Sequence, residues 1–335
     1  MSSVFVAHAK EYATTIVTRL DLKPKDWVLE IGSNDGYLLK HFIELGVDVL
    51  GIEPAENVAK IATNSGVPSV SEFFGVDLAS SLIEKRGFPR LVVANNVMAH
   101  VPDIQDFIGG LAIVAGPNTV ISIENPSLMN FLEKNQFDTI YHEHYSYLTA
   151  HSVAHIVESF ELELFDLEKI PTHGGSNRYW LRSVSSTEPK SKTVDLSIES
   201  EISNGLFDRV AWHAFADEVK KTLSDFRAWL KSSCIEGKKV VGYGAAAKAS
   251  TLLNGADVEK EWFVAIADAS HEKQGRFMPA KGIPIISPQE MFVLKPTDVI
   301  IFPWNIQNEL IQLIKSGSQT DTHIWRVIPR LEQIA

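Results

Sequence analysis

The sequence predicts an α/β fold: a parallel sheet with helices on both faces, followed by a second, smaller C-terminal α/β domain. Three observations predict it. Short apolar runs of strand length alternate with segments of helical apolar spacing from Trp27 to Pro126. Two stretches run from a strand through a glycine-rich turn into a helix, 28-VLEIGSNDGYLL-39 and 240-VVGYGAAAKAS-250. A chain of 335 residues is also longer than one hydrophobic core commonly organises, which favours two domains.

The elements follow in order. The first sixteen or so residues read as a helix leading toward Leu20 and Leu22, and Lys23-Pro24-Lys25-Asp26 breaks it. WVLEIG (27–32) is a buried strand, YLLKHFIEL (37–45) a helix and VDVLGIEP (47–54) a second strand. VAKIATNSG (58–66) is a helix closed by glycine. RLVVANNV (90–97) and TVISIENP (119–126) are further strands around a helix over DFIGGLAIVA (106–115). The texture changes at 160–182, which reads as two strands joined by a turn, added antiparallel to the sheet edge. SVSSTEPKSKTV (183–194) is polar and reads as a linker. Apolar residues at helical spacing from Ile198 to Leu230 predict one long helix or two over 196–233. A second series follows: KKVVGYG, a helix to about 253, WFVAIAD (262–268), IPIIS, DVIIFPW (298–304), a helix over 306–316, and HIWRVIP. The expected domains are 1–190, a helical connector over 191–235, and 236–335.

Composition excludes several classes. A hydrophobic share of 45% with 22% charged residues is that of an ordinary globular protein. A net charge of −11 argues against a nucleic-acid partner. The one cysteine, Cys234, excludes an internal disulfide and a thiolate-rich zinc module. No signal peptide and no apolar run of membrane-spanning length is present, so the cytoplasm is the expected location and no membrane partner is expected.

The two glycine turns differ chemically. In the first, Gly32 and Gly36 flank a sharp turn, and Asn34 stands where a dinucleotide fingerprint has glycine. Asparagine tolerates left-handed backbone better than most residues. Glu53 ends the next strand, where an acid accepts from ribose hydroxyls. The telling residue is Glu30, immediately before the turn: a carboxylate there repels phosphate and suits a cationic ligand. S-adenosylmethionine (SAM) carries a ribose, an ammonium and a sulfonium. The first domain is therefore expected to be a Rossmann-like SAM-binding sheet, with a tight ligand-free turn as the alternative. In the second turn, Gly242 and Gly244 precede Ala247, Lys248 lies in the first helical turns, and no acid precedes the glycines. That suits an anion at a helix N-terminus; the alternative is small residues that only pack a helix on its sheet.

The histidine- and tyrosine-rich stretch 139-TIYHEHYSYLTAHSVAH-155 admits two readings. His151 and His155 are four apart, a spacing that shares a metal on a helix. Thr149 and Ser152 look like a helix start, though, and would turn His155 inward among Val153, Ile156 and Val157. No metal is expected. The catalytic reading takes Tyr141, Glu143 and His144, alternating along an extended segment so that His144 faces away from the other two. Histidine is the commonest general base, a carboxylate orients it, and a tyrosine hydroxyl donates to a developing oxyanion.

With these stretches in place, the chain resembles the SAM-dependent C-methyltransferases that act on nucleotide-linked ketodeoxysugars. The matching segments are EIGSNDGYLL (30–39), GIEPA (51–55), NNVMAHVPD (95–103), FDTIYHEHYSYL (137–148), HGGSNRYW (173–180), GYGAAAKAS (242–250) and FPWN (302–305), spread over nearly the whole chain. The resemblance implies SAM contacts from Gly32, Asn34 and Glu53, with Glu72 and Phe73 near the adenine and Asn95 and Asn96 near the methionine part. It implies that Tyr141, Glu143 and His144 belong to the sugar site, His144 being the base, and that His100 lies beside the reacting carbon. It places the nucleotide end of the substrate, with Gly242, Gly244 and Lys248, in the C-terminal domain. There is one departure. Many relatives begin with a zinc-binding module built on cysteine pairs, whereas this chain starts just before the SAM domain. The expected consequence is either a different substrate or a cleft completed by another subunit in a homodimer. Three other activities stay open on sequence grounds: an O- or N-methyltransferase on a non-sugar metabolite, an NAD-dependent oxidoreductase using the 242–247 turn, and a non-catalytic SAM sensor.

Overall fold

The computed structural model describes residues 3–186, 189–318 and 321–335. Residues 1–2 of the expected first helix and 187–188 of the expected linker lie outside the described residues. In chain order the elements are α1 (Ser3–Arg19), β1 (Trp27–Ile31), α2 (Leu39–Glu44), β2 (Asp48–Ile52), α3 (Glu56–Asn64), β3 (Ser69–Val70), α4 (Val76–Arg86), β4 (Leu91–Asn95), α5 (Ile104–Val114), β5 (Val120–Pro126), α6 (Leu128–Glu133), α7 (Ala150–Glu158), β6 (Leu162–Ile170), β7 (Ser176–Ser183), α8 (Lys192–Ser203) and α9 (Arg209–Ile235). They continue with β8 (Val240–Tyr243), α10 (Ala247–Gly255), β9 (Ala265–Ala267), β10 (Ile285–Ile286), α11 (Pro288–Leu294), β11 (Asp298–Ile301), α12 (Gln307–Gly317), β12 (His323–Arg326) and β13 (Glu332–Gln333). No described helix is long and apolar enough to cross a membrane.

The chain forms two compact units, residues 1–128 with 145–204 and residues 129–144 with 205–335. The first holds a seven-stranded sheet in the order β3-β2-β1-β4-β5-β7-β6, parallel except for β7, which pairs antiparallel with both β5 and the edge strand β6. Its central strands are buried on both faces, as in other parallel sheets. Alternation along them sorts the core. Leu29, Ile31, Val92, Ala94, Ile121 and Ile123 pack on one face with Leu82 of α4, Phe107 and Leu111 of α5 and Val153 of α7. Val28, Val49, Leu91 and Val93 pack on the other with Ala13 and Ile16 of α1 and Phe42 of α2.

The second unit holds a six-stranded sheet, β10-β9-β8-β11-β12-β13, with only β13 antiparallel. Val240, Ile266 and Ile300 pack with Phe226 and Leu230 of α9 and Leu252 and Leu253 of α10. Val241, Val299 and Ile301 pack on the opposite face with Met291 of α11 and Leu310 and Ile314 of α12.

The structure corrects several sequence expectations. The 196–233 segment is two helices, α8 and α9, broken at Asn204-Gly205, where Gly205 takes a positive φ. The linker ends at Ser191, which caps α8 by accepting from Thr193 N–H. Helix α2 begins at Leu39 because Gly36 to Leu38 are spent on the turn. Helices α4 and α6 were not anticipated; α4 buries only Ala79 and Leu82, too narrow a stripe to read as a period. Thr149 and Ser152 do form the capping box that starts α7. His155, however, is exposed, not turned inward. At 100° per residue it stands on the face opposite Val153 and Val157, which are buried.

Candidate active site

The first unit carries a pocket at the carboxyl ends of β1, β2 and β4, where open α/β sheets bind ligands. Ile31, Gly32, Ile52, Pro54, Phe73, Phe74, Val97, His100, Val101, Pro102 and Phe107 line it. The turn after β1 forms its floor. Gly32 has φ +69°, and an added Cβ would meet Val97 Cγ2 at 2.5 Å, so only glycine fits beside that wall. Gly32 and Ser33 both donate backbone N–H groups to Ile52 O, tying the turn to the end of β2. Asn34 adopts the left-handed φ of +52° expected of it, and its Oδ1 accepts from Asp35 N–H at 2.8 Å. Gly36 closes the turn with φ +79° against Val67.

Glu53 lies between the pocket-lining Ile52 and Pro54 and accepts from Asn34 N–H at 3.1 Å and from Ala55 N–H at 2.9 Å. Phe73 is 84% exposed although it lines the pocket, and Phe74 behind it is buried. Glu72 is exposed and borders a different depression with Leu50, Val70 and Arg86. His100 is exposed at the pocket lip. Asn96 has φ +56°, and its amide lies 3.4 Å from His173 Nε2. Phe74 lies outside every segment singled out from sequence, and Val97, Val101 and Pro102, though within NNVMAHVPD, are not among the residues that reading picked.

Glu30 sits one residue before Ile31, on the face of β1 that α1 covers, not among the residues that line the pocket. It is buried, and its Oε2 has no hydrogen-bond partner among the described residues. Burial first, then the charges of Asp35 and Glu53, push its carboxyl well above the usual range. Asn95 Oδ1 at the end of β4 is also buried without a partner among the described residues. Nearby is a network sequence reading missed. Glu124 of β5 accepts from Arg178 at 3.0 Å and from Thr172 at 3.1 Å, and lies 3.3 Å from His8 Nε2 of α1. Burial pushes the Glu124 carboxyl up, but His8 and Arg178 outweigh it and hold it below its ordinary value. A strand reading ISIENP beside one reading SNRYW carries charges at inward positions, which was the available signal.

These groups suit SAM. An apolar slot has the character an adenine needs, the Glu53 carboxylate keeps lone pairs free for hydroxyl donors, and the buried oxygens of Glu30 and Asn95 are without partners among the described residues.

In the second unit the segment 137–144 does not run extended. Phe137–Thr139 form a 3₁₀ turn, and His144 N–H donates to Tyr141 O at 3.0 Å. The bend brings the Tyr141 and His144 rings to 4.2 Å between centroids at 34°, where alternation had put them on opposite sides. His144 Nδ1 lies 2.8 Å from Thr139 O. A carbonyl accepts only, so Nδ1 carries the proton and the basic lone pair is on Nε2. Glu143 is exposed. Lys248 of α10 sits 3.9 Å over the Trp304 ring and donates to Asn305 Oδ1 at 3.2 Å. Gly242 and Gly244 have packing reasons for lacking a Cβ: it would meet Phe302 at 2.6 Å and Pro303 at 2.5 Å respectively. The N-terminus of α10 has no side-chain cap. Among the described residues, no group of three or more His, Cys, Asp or Glu could hold a metal ion.

Residues 5–167 match the model of a methyltransferase domain family, and residues 171–329 that of the C-methyltransferase C-terminal domain. The chain is 30% identical to the C-methyltransferase NovU of Streptomyces niveus over 306 residues, covering 91% of this chain and 73% of that protein. Among solved structures it is similar to a SAM-dependent methyltransferase of Archaeoglobus fulgidus, with TM-score 0.39, 18% identity, and 49% of this chain and 73% of that one covered. It is also similar to the magnesium protoporphyrin IX methyltransferase of Synechocystis with bound SAM, with TM-score 0.38, 15% identity, and 52% and 79% covered. The protein is a SAM-dependent methyltransferase and belongs to the C-methyltransferase family.

Proposed function

We propose that the protein methylates a carbon next to the ketone of a nucleotide-linked deoxysugar, with His144 as the base. The observation that carries this is the Nδ1–Thr139 carbonyl bond, which fixes the imidazole as the tautomer with a basic Nε2. When bound, SAM supplies an electrophilic methyl group on a sulfonium. Glu30, Gly32, Asn34, Gly36, Glu53, Phe73, Asn95 and Asn96 would hold it, with Glu72 beside the adenine end. His144 Nε2 would take the proton from the carbon alpha to the ketone, a weakly acidic position. The Tyr141 hydroxyl would donate to the enolate oxygen, and His100 is the first unit's own candidate for that role. Glu143 would stabilise the imidazolium. The uncapped start of α10 and Lys248, with Gly242 and Gly244 behind them, suit the phosphates of the nucleotide end. The relative NovU is a C-methyltransferase by name, which supports carbon as the methylated atom.

The test is methyl transfer to a nucleotide-linked ketodeoxysugar, with SAM affinity measured by calorimetry in parallel. His144→Ala should lower kcat by about 10²–10⁴-fold with SAM affinity unchanged. Unchanged transfer in both His144→Ala and Tyr141→Phe, with SAM still bound, overturns the assignment. Product NMR showing a new O–CH3 or N–CH3 would favour a methyltransferase on a heteroatom, which needs the same SAM pocket.

A further inference from the structure

We propose that Asp138 is a positioning residue for His144: its carboxylate, bonded to the Trp304 indole, fixes the turn whose carbonyl holds the imidazole. The inference rests on the reading of His144 as the base.

Asp138 is fully buried in the second unit, in the middle of the 3₁₀ turn Phe137–Thr139. Its Oδ2 accepts from Trp304 Nε1 at 2.7 Å, across 166 residues of chain. Its Oδ1 is buried with no partner among the described residues. Burial pushes the carboxyl up to about 6, against the opposing pull of Lys248 and the indole bond. Burying such a group costs folding free energy, which a single indole bond offsets only in part. Stability alone is therefore a weak reason for an aspartate here.

Its neighbours supply another. Thr139 follows it directly, and the Thr139 carbonyl accepts from His144 Nδ1. The direction of that carbonyl is the direction of the Thr139–Ile140 peptide plane. Ile140 N–H and Thr139 N–H donate back to Phe137 O and Gln136 O, so the plane moves only with the whole turn. Besides the Thr139 hydroxyl, which donates to Gln136 O within the turn, and the Thr251 hydroxyl, which donates to Ile140 O, the side chains of Phe137 and Asp138 tie the turn to its surroundings. Phe137 is buried in the second unit's core, a contact without direction. Asp138 makes a short, buried and directional contact, to Trp304, whose ring is itself held under the Lys248 ammonium. Losing it would let the turn rotate about Phe137, release Nδ1 and let the proton sit on either ring nitrogen.

The readout is the His144 tautomer, by long-range proton–nitrogen NMR on full-length protein labelled with 15N-histidine, without ligands, His144→Gln assigning the signal. Wild type should show the Nδ1–H tautomer. Asp138→Ala and Trp304→Phe should each populate both tautomers, and Asp138→Asn, which keeps an acceptor for the indole, should restore the wild-type pattern. If Asp138→Ala does not fold, Trp304→Phe decides, because it removes the same bond from a half-buried side chain. A wild-type tautomer in a folded Asp138→Ala or in Trp304→Phe overturns the proposal. Methyl transfer surviving in His144→Ala would instead sink the base assignment while leaving the tautomer result to stand or fall separately.

Discussion

Gly32→Ala tests whether the turn after β1 builds the SAM pocket. Two costs follow from the structure. The residue has φ +69°, which costs an L-residue about 1–2 kcal/mol. The new Cβ would lie 2.5 Å from Val97 Cγ2, so that methyl must retreat by about 0.9 Å to reach ordinary contact at 3.4 Å. Overpacking of this kind costs about 1–3 kcal/mol. Gly32 and Val97 both line the pocket, so the cost falls on ligand binding as well as on folding. Thermal unfolding should show the first unit's transition lowered by at least about 4 °C, given about 2–4 °C per kcal/mol for a unit of this size. Calorimetry should show weaker SAM binding. Adding Val97→Ala removes the clash and leaves the backbone strain, so the double variant should recover part of the stability and most of the affinity. An unchanged melting temperature and SAM affinity in Gly32→Ala would refute the reasoning, and so would a double variant no better than the single.

Two other perturbations probe the buried charges of the first unit. Arg178→Met leaves Glu124 buried with only His8 and Thr172, and should destabilise by about 3–5 kcal/mol in chemical denaturation; a loss under about 1 kcal/mol would mean the pair is not a structural tie. Glu30→Gln acts in the opposite sense: because Glu30 has a raised carboxyl pKa when folded, the native state holds its proton where the unfolded state has lost it. Stability from this group is present below the ordinary glutamate range and is lost as pH rises toward the native value. Glu30→Gln should therefore flatten the fall in melting temperature above pH about 4.5 and stabilise the ligand-free protein at pH 8, with SAM binding weakened; a pH profile parallel to wild type would count against it.

How far the sequence reached depended on whether a residue's partner was local. β1, β2, β4 and β5 were legible because a central parallel strand is buried on both faces, so its apolar run needs no partner to interpret it. The left-handed Asn34 and the capping box at Thr149 were legible because the side-chain bond of each closes within three residues. Residues whose meaning comes from distant chain were not. Asp138 looked like any loop acid until Trp304 arrived from β11's far side of the sequence. Glu124 looked like a strand end until Arg178 paired with it. The alternation drawn through Tyr141, Glu143 and His144 failed for the same reason: period two holds only while a strand has a neighbour to pair with, and this segment has none in either sheet. Glu30 marks the boundary between the two cases. Its position before the glycine turn was read from sequence as the acid of a cation site, yet the structure buries it, and desolvation first, then Asp35 and Glu53, push its carboxyl up. A cation brought near it would pull that carboxyl back down. Cofactor binding should release a proton, and the release should disappear in Glu30→Gln when SAM is titrated in buffers of different ionisation enthalpy.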